Sequence, residues 1–288
     1  MNKEKIRKIL YIMFVVIFVI SIIYIISYFA ISYKESNDIR ELQDIMQTTT
    51  GKIINEEKEL IKLKNSNNSD NIDNSNIQIL HKNNDITNQK NISEKQSITN
   101  LKKLQKINSD IVAWIKIENT NIDYPILQGK DNDYYLKTNY KNEYSRSGSI
   151  FLDYRYDFNV QNLNFLVYGH NNNDGKMFNE LLKYNQESYY KEHSEINIVT
   201  NKEDETYNIV AVFYSQVYNT SDTNKFKYYN YIELTNENDF YMYINNCKKE
   251  SLYDIDFEAT YGDKVLTLST CEYSKENGRF VIVAIKKF

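Results

Sequence analysis

Three side chains in this sequence could carry acyl-transfer chemistry, and each falls where a strand-like run meets a loop. Cys271 closes the stretch Val265-Leu266-Thr267-Leu268-Ser269-Thr270-Cys271, which alternates with the two-residue period of a β-strand. The alternation puts Leu266 and Leu268 on one face. Val265, Thr267, Ser269 and Cys271 share the other, a small and partly polar face that ends beside the charged segment 272–278. A structural thiol is wrapped in apolar neighbours, whereas a reactive one stands where a chain element ends and solvent begins. By pattern alone Cys271 fits a nucleophile and a packed thiol equally well. His170 follows the apolar run 165–168 and Gly169, and it opens a polar Asn/Asp/Gly loop, the kind of position at which a rigid scaffold displays working groups. An ordinary loop histidine satisfies the same description. Arg279 opens the last strand-like run on the face of Val281 and Val283. A charge there needs a partner, such as Glu272 or Glu276, or a function, because burying it unpaired is costly.

The other candidates are weaker. Two cysteines are too few for a disulfide scaffold or a structural zinc site. Cys247 lies in Phe240, Tyr243, Ile244, Cys247, the i, i+3, i+4, i+7 stripe of a buried helix face, and reads as a small core residue. His81 sits in an Asn/Ser-rich tract and His193 between charged residues, where solvation accounts for it. The net charge of −4 gives no general attraction to nucleic acid. No cofactor and no metal are expected.

The elements that must position these groups can be read along the chain. Residues 9–31 are uncharged and long enough, at about 34 Å as a helix, to cross about 30 Å of hydrocarbon. Lys3, Lys5, Arg7 and Lys8 precede the run, and the flank after it mixes signs. The positive-inside rule then makes 1–8 a cytoplasmic stub, 9–31 a signal-anchor helix through the lipid bilayer, and the rest extracellular. Residues 32–97 read as a stalk, helical in patches over 35–64 with a TTTG interruption, then a disordered Asn/Ser-rich spacer. From residue 98 to 288 the pattern is mostly β. A short helix is followed by eight strand candidates at 113–117, 122–127, 149–152, 164–168, 196–200, 205–214, 264–270 and 279–285, which suggests a barrel or sandwich. Helices are expected at 176–184 and at 237–249, the latter capped by Thr235 or Asn236.

With YGH at a strand end, TLSTC closing a strand at 267–271 and an arginine opening the next, the chain resembles the sortases, membrane-anchored cysteine transpeptidases of Gram-positive surfaces. Their nucleophile motif T-L-x-T-C is matched at every fixed position. The stretches DYPILQGKDNDYYL (123–136) and GSIFLD (148–153), with the helical insert at 237–249, resemble class B. The resemblance covers roughly residues 100–288 and implies an eight-stranded sortase barrel. It implies Cys271 as nucleophile, His170 as general acid/base and Arg279 as oxyanion stabiliser. Leu127, Ser269, Glu272, Tyr231 and Ile232 match positions of the substrate groove, although strand-to-helix packing explains Tyr231 and Ile232 equally well. The implied reaction cleaves a sorting motif after its threonine on a secreted protein and passes the acyl group to a cell-wall cross-bridge amine. Two alternatives stand beside it: a pilin-polymerising sortase and a non-catalytic surface binding module.

Overall fold

The computed structural model describes residues 3–47, 91–161 and 163–287. The TTTG interruption and most of the expected spacer, with His81, lie outside the described residues. The chain divides into two units, Met1–Asp44 and Ile45–Phe288. In the first, the apolar run lies within one continuous helix, α1 (Lys3–Gln47), long and apolar enough to cross a bilayer by length and composition.

In the second unit, helix α2 is described over residues 91–105 and buries Leu101 and Leu104. Eight strands follow: β1 (Ile111–Lys116), β2 (Asp123–Leu127), β3 (Ile150–Leu152), β4 (Asn164–Gly169), β5 (Glu195–Thr200), β6 (Asp204–Gln216), β7 (Lys264–Cys271) and β8 (Gly278–Lys286). They close into a barrel in the order β1-β2-β3-β4-β7-β8-β6-β5, with β2–β3 and β4–β7 parallel and the other neighbours antiparallel. All eight expected strands are present, their ends within a few residues.

The expected helix at 176–184 is instead a loop followed by a 3-10 helix (Asn179–Asn185) and a short α-helix, α3 (Glu187–Glu192). Met177 adopts a left-handed backbone (φ 57°) and bridges to Asn171, which delays the helical turn. His193 ends α3 half-buried, not solvated: its ring stacks on Tyr189 at 4.2 Å, and Nδ1 donates to the Tyr189 carbonyl at 3.0 Å.

The insert helix, α4 (Glu237–Glu250), forms where its sequence asks. The Asn236 side chain caps it by accepting from the Asp239 amide at 2.9 Å. Phe240, Tyr243, Ile244 and Cys247 are buried against Val265, Val281, Val283 and Ile285 of β7 and β8, each large side chain contributing roughly 1.5–3 kcal/mol. This covers the face of β7 that carries Val265, Thr267 and Ser269, so both faces of the strand are buried. Its hydroxyls survive burial because each is paired: Tyr243 Oη with Thr267 Oγ1 at 2.6 Å, Thr267 Oγ1 with Asn164 Oδ1 at 2.8 Å, and Tyr228 Oη with Ser269 Oγ at 2.6 Å.

Candidate active site

The register of three adjacent strands brings the candidate side chains together. On β4 and β7, Gly169 is level with Thr270, whose Oγ1 donates to the Gly169 carbonyl at 2.8 Å. On β7 and β8, Cys271 is directly opposite Arg279. His170, one residue past Gly169, therefore stands level with Cys271. With strands about 4.8 Å apart, the row His170–Cys271–Arg279 crosses one end of the barrel. All three are half-buried.

His170 is oriented from behind. Its Nε2 lies 2.7 Å from the Leu136 carbonyl, and a carbonyl only accepts, so Nε2 carries a proton. Nδ1 is then the nitrogen left to exchange one. Leu136 ends a 3-10 turn (Tyr134–Leu136) that Gly148 approaches closely: Gly148 has φ 57°, and a Cβ there would sit 2.6 Å from the Leu136 oxygen. Gly169 is required for a different reason from loop flexibility. A Cβ at Gly169 would come within 2.7 Å of the Phe178 ring, so the histidine-bearing strand end lies against Phe178 with no room for a side chain.

The loop after His170 is tied to the cysteine strand. Asn171 is buried; its Nδ2 donates to the Cys271 carbonyl at 3.1 Å and its Oδ1 accepts from Asn179 Nδ2 at 2.6 Å. On the far side, Arg279 Nη1 donates to the carbonyls of Gly278 (2.9 Å) and Asn277 (3.3 Å). Glu272, one suggested partner, spends its carboxylate on the Ser274 amide and hydroxyl at 2.8 and 2.6 Å.

Of the groove candidates, Tyr231 and Glu272 are half-buried, while Leu127, Ser269 and Ile232 are 1, 1 and 3 % exposed. Ser269 lies two residues before Cys271 on the same face, held by Tyr228. Burial pushes the Tyr228 phenol up to about 12, against the Ser269 hydrogen bond and the nearby positive charge of Arg279. The strap carrying Tyr228–Ile232 is anchored by Arg155, which donates to the Tyr229 carbonyl at 2.8 Å and forms a fork (2.8 and 2.7 Å) onto the fully buried Asp153 carboxylate. Asn132 and the Tyr168 hydroxyl also donate to Asp153.

The second cysteine differs in kind. Cys247 is fully enclosed under α4, where burial pushes its thiol well above the ordinary range. A pocket of about 330 Å³ occupies the opposite end of the barrel, where Tyr156, Phe165, Glu203, Glu205 and Lys264 line it among others. Among the described residues no group of three His, Cys, Asp or Glu side chains converges as metal ligands would. Of the residues singled out in the sequence, His170, Cys271 and Arg279 are the ones the strand register brings level. Sequence reasoning missed Asn171, one asparagine of three in a row, and the Leu136 carbonyl, which no side-chain signal could reveal.

Known proteins share this arrangement of strands. A family model described as a sortase domain matches residues 115–287. The chain is 41 % identical over 184 residues to sortase B of Listeria monocytogenes, a match covering 63 % of this chain and 72 % of the relative. The structure of a Staphylococcus aureus sortase B–substrate complex superimposes with a TM-score of 0.63 at 26 % identity, covering 88 % of this chain and 96 % of that one. A structure of sortase B complexed with triglycine gives 0.58 at 33 % identity, with coverages of 65 and 85 %.

Proposed function

The chain belongs to the sortase family, whose sortase B members are cysteine transpeptidases, and from that premise we propose that Cys271, His170 and Arg279 carry out its reaction. The supporting observation is their single row across β4, β7 and β8. The Cys271 thiolate attacks the carbonyl carbon that follows the threonine side chain of a sorting motif, and a C–S bond forms as the carbonyl becomes an oxyanion. A free thiol of pKa about 8.5 is only a few per cent thiolate at neutral pH, so the imidazolium and guanidinium on either side favour attack. The Arg279 fork stabilises the oxyanion, a role worth roughly 3–4 kcal/mol where comparable donors have been removed. His170 gives its Nδ1 proton to the leaving amine as the C–N bond breaks, which leaves a thioester. Neutral His170 then takes a proton from the incoming amine, whose nitrogen displaces sulfur.

The substrate and the triglycine in the related complexes support an extended sorting peptide as donor and a peptidyl amine, a cell-wall cross-bridge, as acceptor. Tyr231 and Glu272 line the groove as direct contacts, with Leu127, Ser269 and Ile232 shaping its floor. Helix α1 anchors the enzyme in the cell membrane through residues 9–31, with 1–8 cytoplasmic, a stalk over 32–97, and the catalytic domain, 98–288, outside.

The deciding experiment incubates the full-length chain in detergent, beside Cys271→Ala, with peptides bearing NPxTx, SPxTG and LPxTG motifs and with hydroxylamine. Cleavage after threonine, trapped as a hydroxamate and absent in Cys271→Ala, is the expected result. Hydroxamate formation by Cys271→Ala at the wild-type rate would overturn the assignment of the nucleophile. If the wild-type chain cleaves no peptide, the cleavage chemistry falls.

A further inference from the structure

We propose that Asn171, oriented by Asn179, is a positioning residue that sets the distance between His170 and Cys271, which rests on the roles proposed above for those two groups. The parallel pair β4–β7 ends in a way that calls for such a residue. Matching residues run level from Asn164 and Val265 to Gly169 and Thr270, and there β4 leaves the sheet. Glu272 bonds toward β8, its amide donating to the Gly278 carbonyl at 3.0 Å, so by alternation the main-chain groups of Cys271 point toward β4. The next rung of a parallel ladder would run from the main-chain N–H of Asn171 to the Cys271 carbonyl. The side-chain amide of Asn171 makes that bond instead, at 3.1 Å.

This replacement has a use. Released from the ladder, the backbone at His170 and Asn171 turns into the loop closed by the Phe178 N–H on the His170 carbonyl (2.9 Å) and the Asn171–Met177 bridge. That turn takes His170 out of the ladder at the level of Cys271 while the strand ends stay fastened. The fastening is directional. Asn179 Nδ2 donates to Asn171 Oδ1, which forces the NH2 of Asn171, not its oxygen, to face the Cys271 carbonyl. Asn171 is 7 % exposed, so water cannot readily stand in for the lost donor. The contact is with the backbone of the nucleophile, so its loss alters geometry and leaves the groove intact.

The test uses the full-length chain in detergent, with Asn171→Leu and Asn171→Asp (isosteric, neither able to donate) and Asn179→Ala (which removes only the outer bond). Three quantities are read: kcat and KM on the cleaved sorting peptide, the rate of Cys271 alkylation by iodoacetamide at neutral pH, and the thermal transition by Trp114 fluorescence. Both Asn171 variants are expected to lose about tenfold to a hundredfold in kcat with KM within about twofold, as small misplacements of reacting groups do. Alkylation should slow in parallel, and Asn179→Ala should show a smaller loss in the same sense. The proposal is overturned if the Asn171 variants keep kcat and alkylation within about twofold of wild type, or if the whole loss appears in KM. Should an Asn171 variant fail to fold, Asn179→Ala decides: wild-type kcat and alkylation there also overturn it. Alkylation needs no peptide, so a wild type that cleaves nothing sinks the transpeptidase reading, while slowed alkylation in the variants still upholds the role of Asn171.

Discussion

Replacing Asp153 by asparagine keeps the shape of the side chain and removes its charge. The wild-type carboxylate is fully buried, accepts the forked bonds of Arg155 along with its backbone amide, and accepts from Asn132 and Tyr168 as well. Bonds to a charged group contribute about 1.5–3 kcal/mol each, but asparagine retains some of these contacts. Arg155, with 37 % of its side chain exposed, also recovers part of its solvation when its partner is lost. The net cost is about 2–3 kcal/mol at pH 7, which lowers the transition of a domain this size by roughly 5–10 °C. The pH dependence carries a sign that can be checked. Burial pushes the Asp153 carboxyl up, yet the hydrogen bonds and charge of Arg155 bring it below the ordinary value. A depressed carboxyl adds stability above its unfolded value, about 3.9, and loses it as pH falls through the folded one. The gap between wild type and Asp153→Asn should therefore be full at pH 7 and 5 and shrink below about pH 4. Urea unfolding at pH 7, 5 and 3, followed by the single Trp114 in β1, measures it directly. A gap that is unchanged at pH 3, or under about 0.5 kcal/mol at pH 7, would refute the argument. Because Arg155 also holds the Tyr229 carbonyl, the variant should raise KM as the Tyr228–Ile232 strap loosens.

Three further outcomes follow from the same geometry. Gly148→Ala forces a side chain at φ 57° and 2.6 Å from the Leu136 oxygen, so it should cost at least about 1 kcal/mol in unfolding experiments and, by displacing the support of His170, lower kcat more than KM. Ellman's reagent should label one thiol rapidly in the native chain and two in denaturant, since Cys247 is enclosed and its thiol raised by burial; two rapid thiols in the native state would contradict that packing. Glu205→Gln removes a buried carboxylate shared by Lys264 (2.9 Å) and Lys286; burial pushes it up, but a hydrogen bond with Glu203 and then those of the two lysines hold it below its ordinary value. It should cost about 2 kcal/mol at pH 7, and less in acid, with kcat unchanged, because Lys264 and Cys271 end the same strand about 23 Å apart.

The strands were legible because each runs apolar between Asn, Asp and Gly-rich turns, and α4 because Asn236 caps a clean helical stripe. The chemistry of Cys271 was less so. Thr267 and Ser269 make one face of β7 read as half-polar, whereas α4 covers it and the tyrosines 228 and 243 satisfy its hydroxyls; side-chain pairing across elements has no period in the sequence. The neighbourhood of His170 and Cys271 was reached through the family motif, not from local pattern, since it depends on β7 inserting beside β4, a choice made by the whole barrel. For the same reason Asn171 looked like one more loop asparagine.

The parallel pairing of β4 with β7 also has a consequence in time. It joins residues 101 positions apart, and closing a loop of that length costs about 4 kcal/mol in chain entropy before any contact returns it. The β7–β8 hairpin spans only a short turn, so Cys271 and Arg279 can meet early; His170 joins them only when the barrel shuts. Until β4 and β7 pair, Cys271 and Arg279 can be neighbours while His170 is still apart, so under the roles proposed above the three groups would be complete only once that long-range pairing is made.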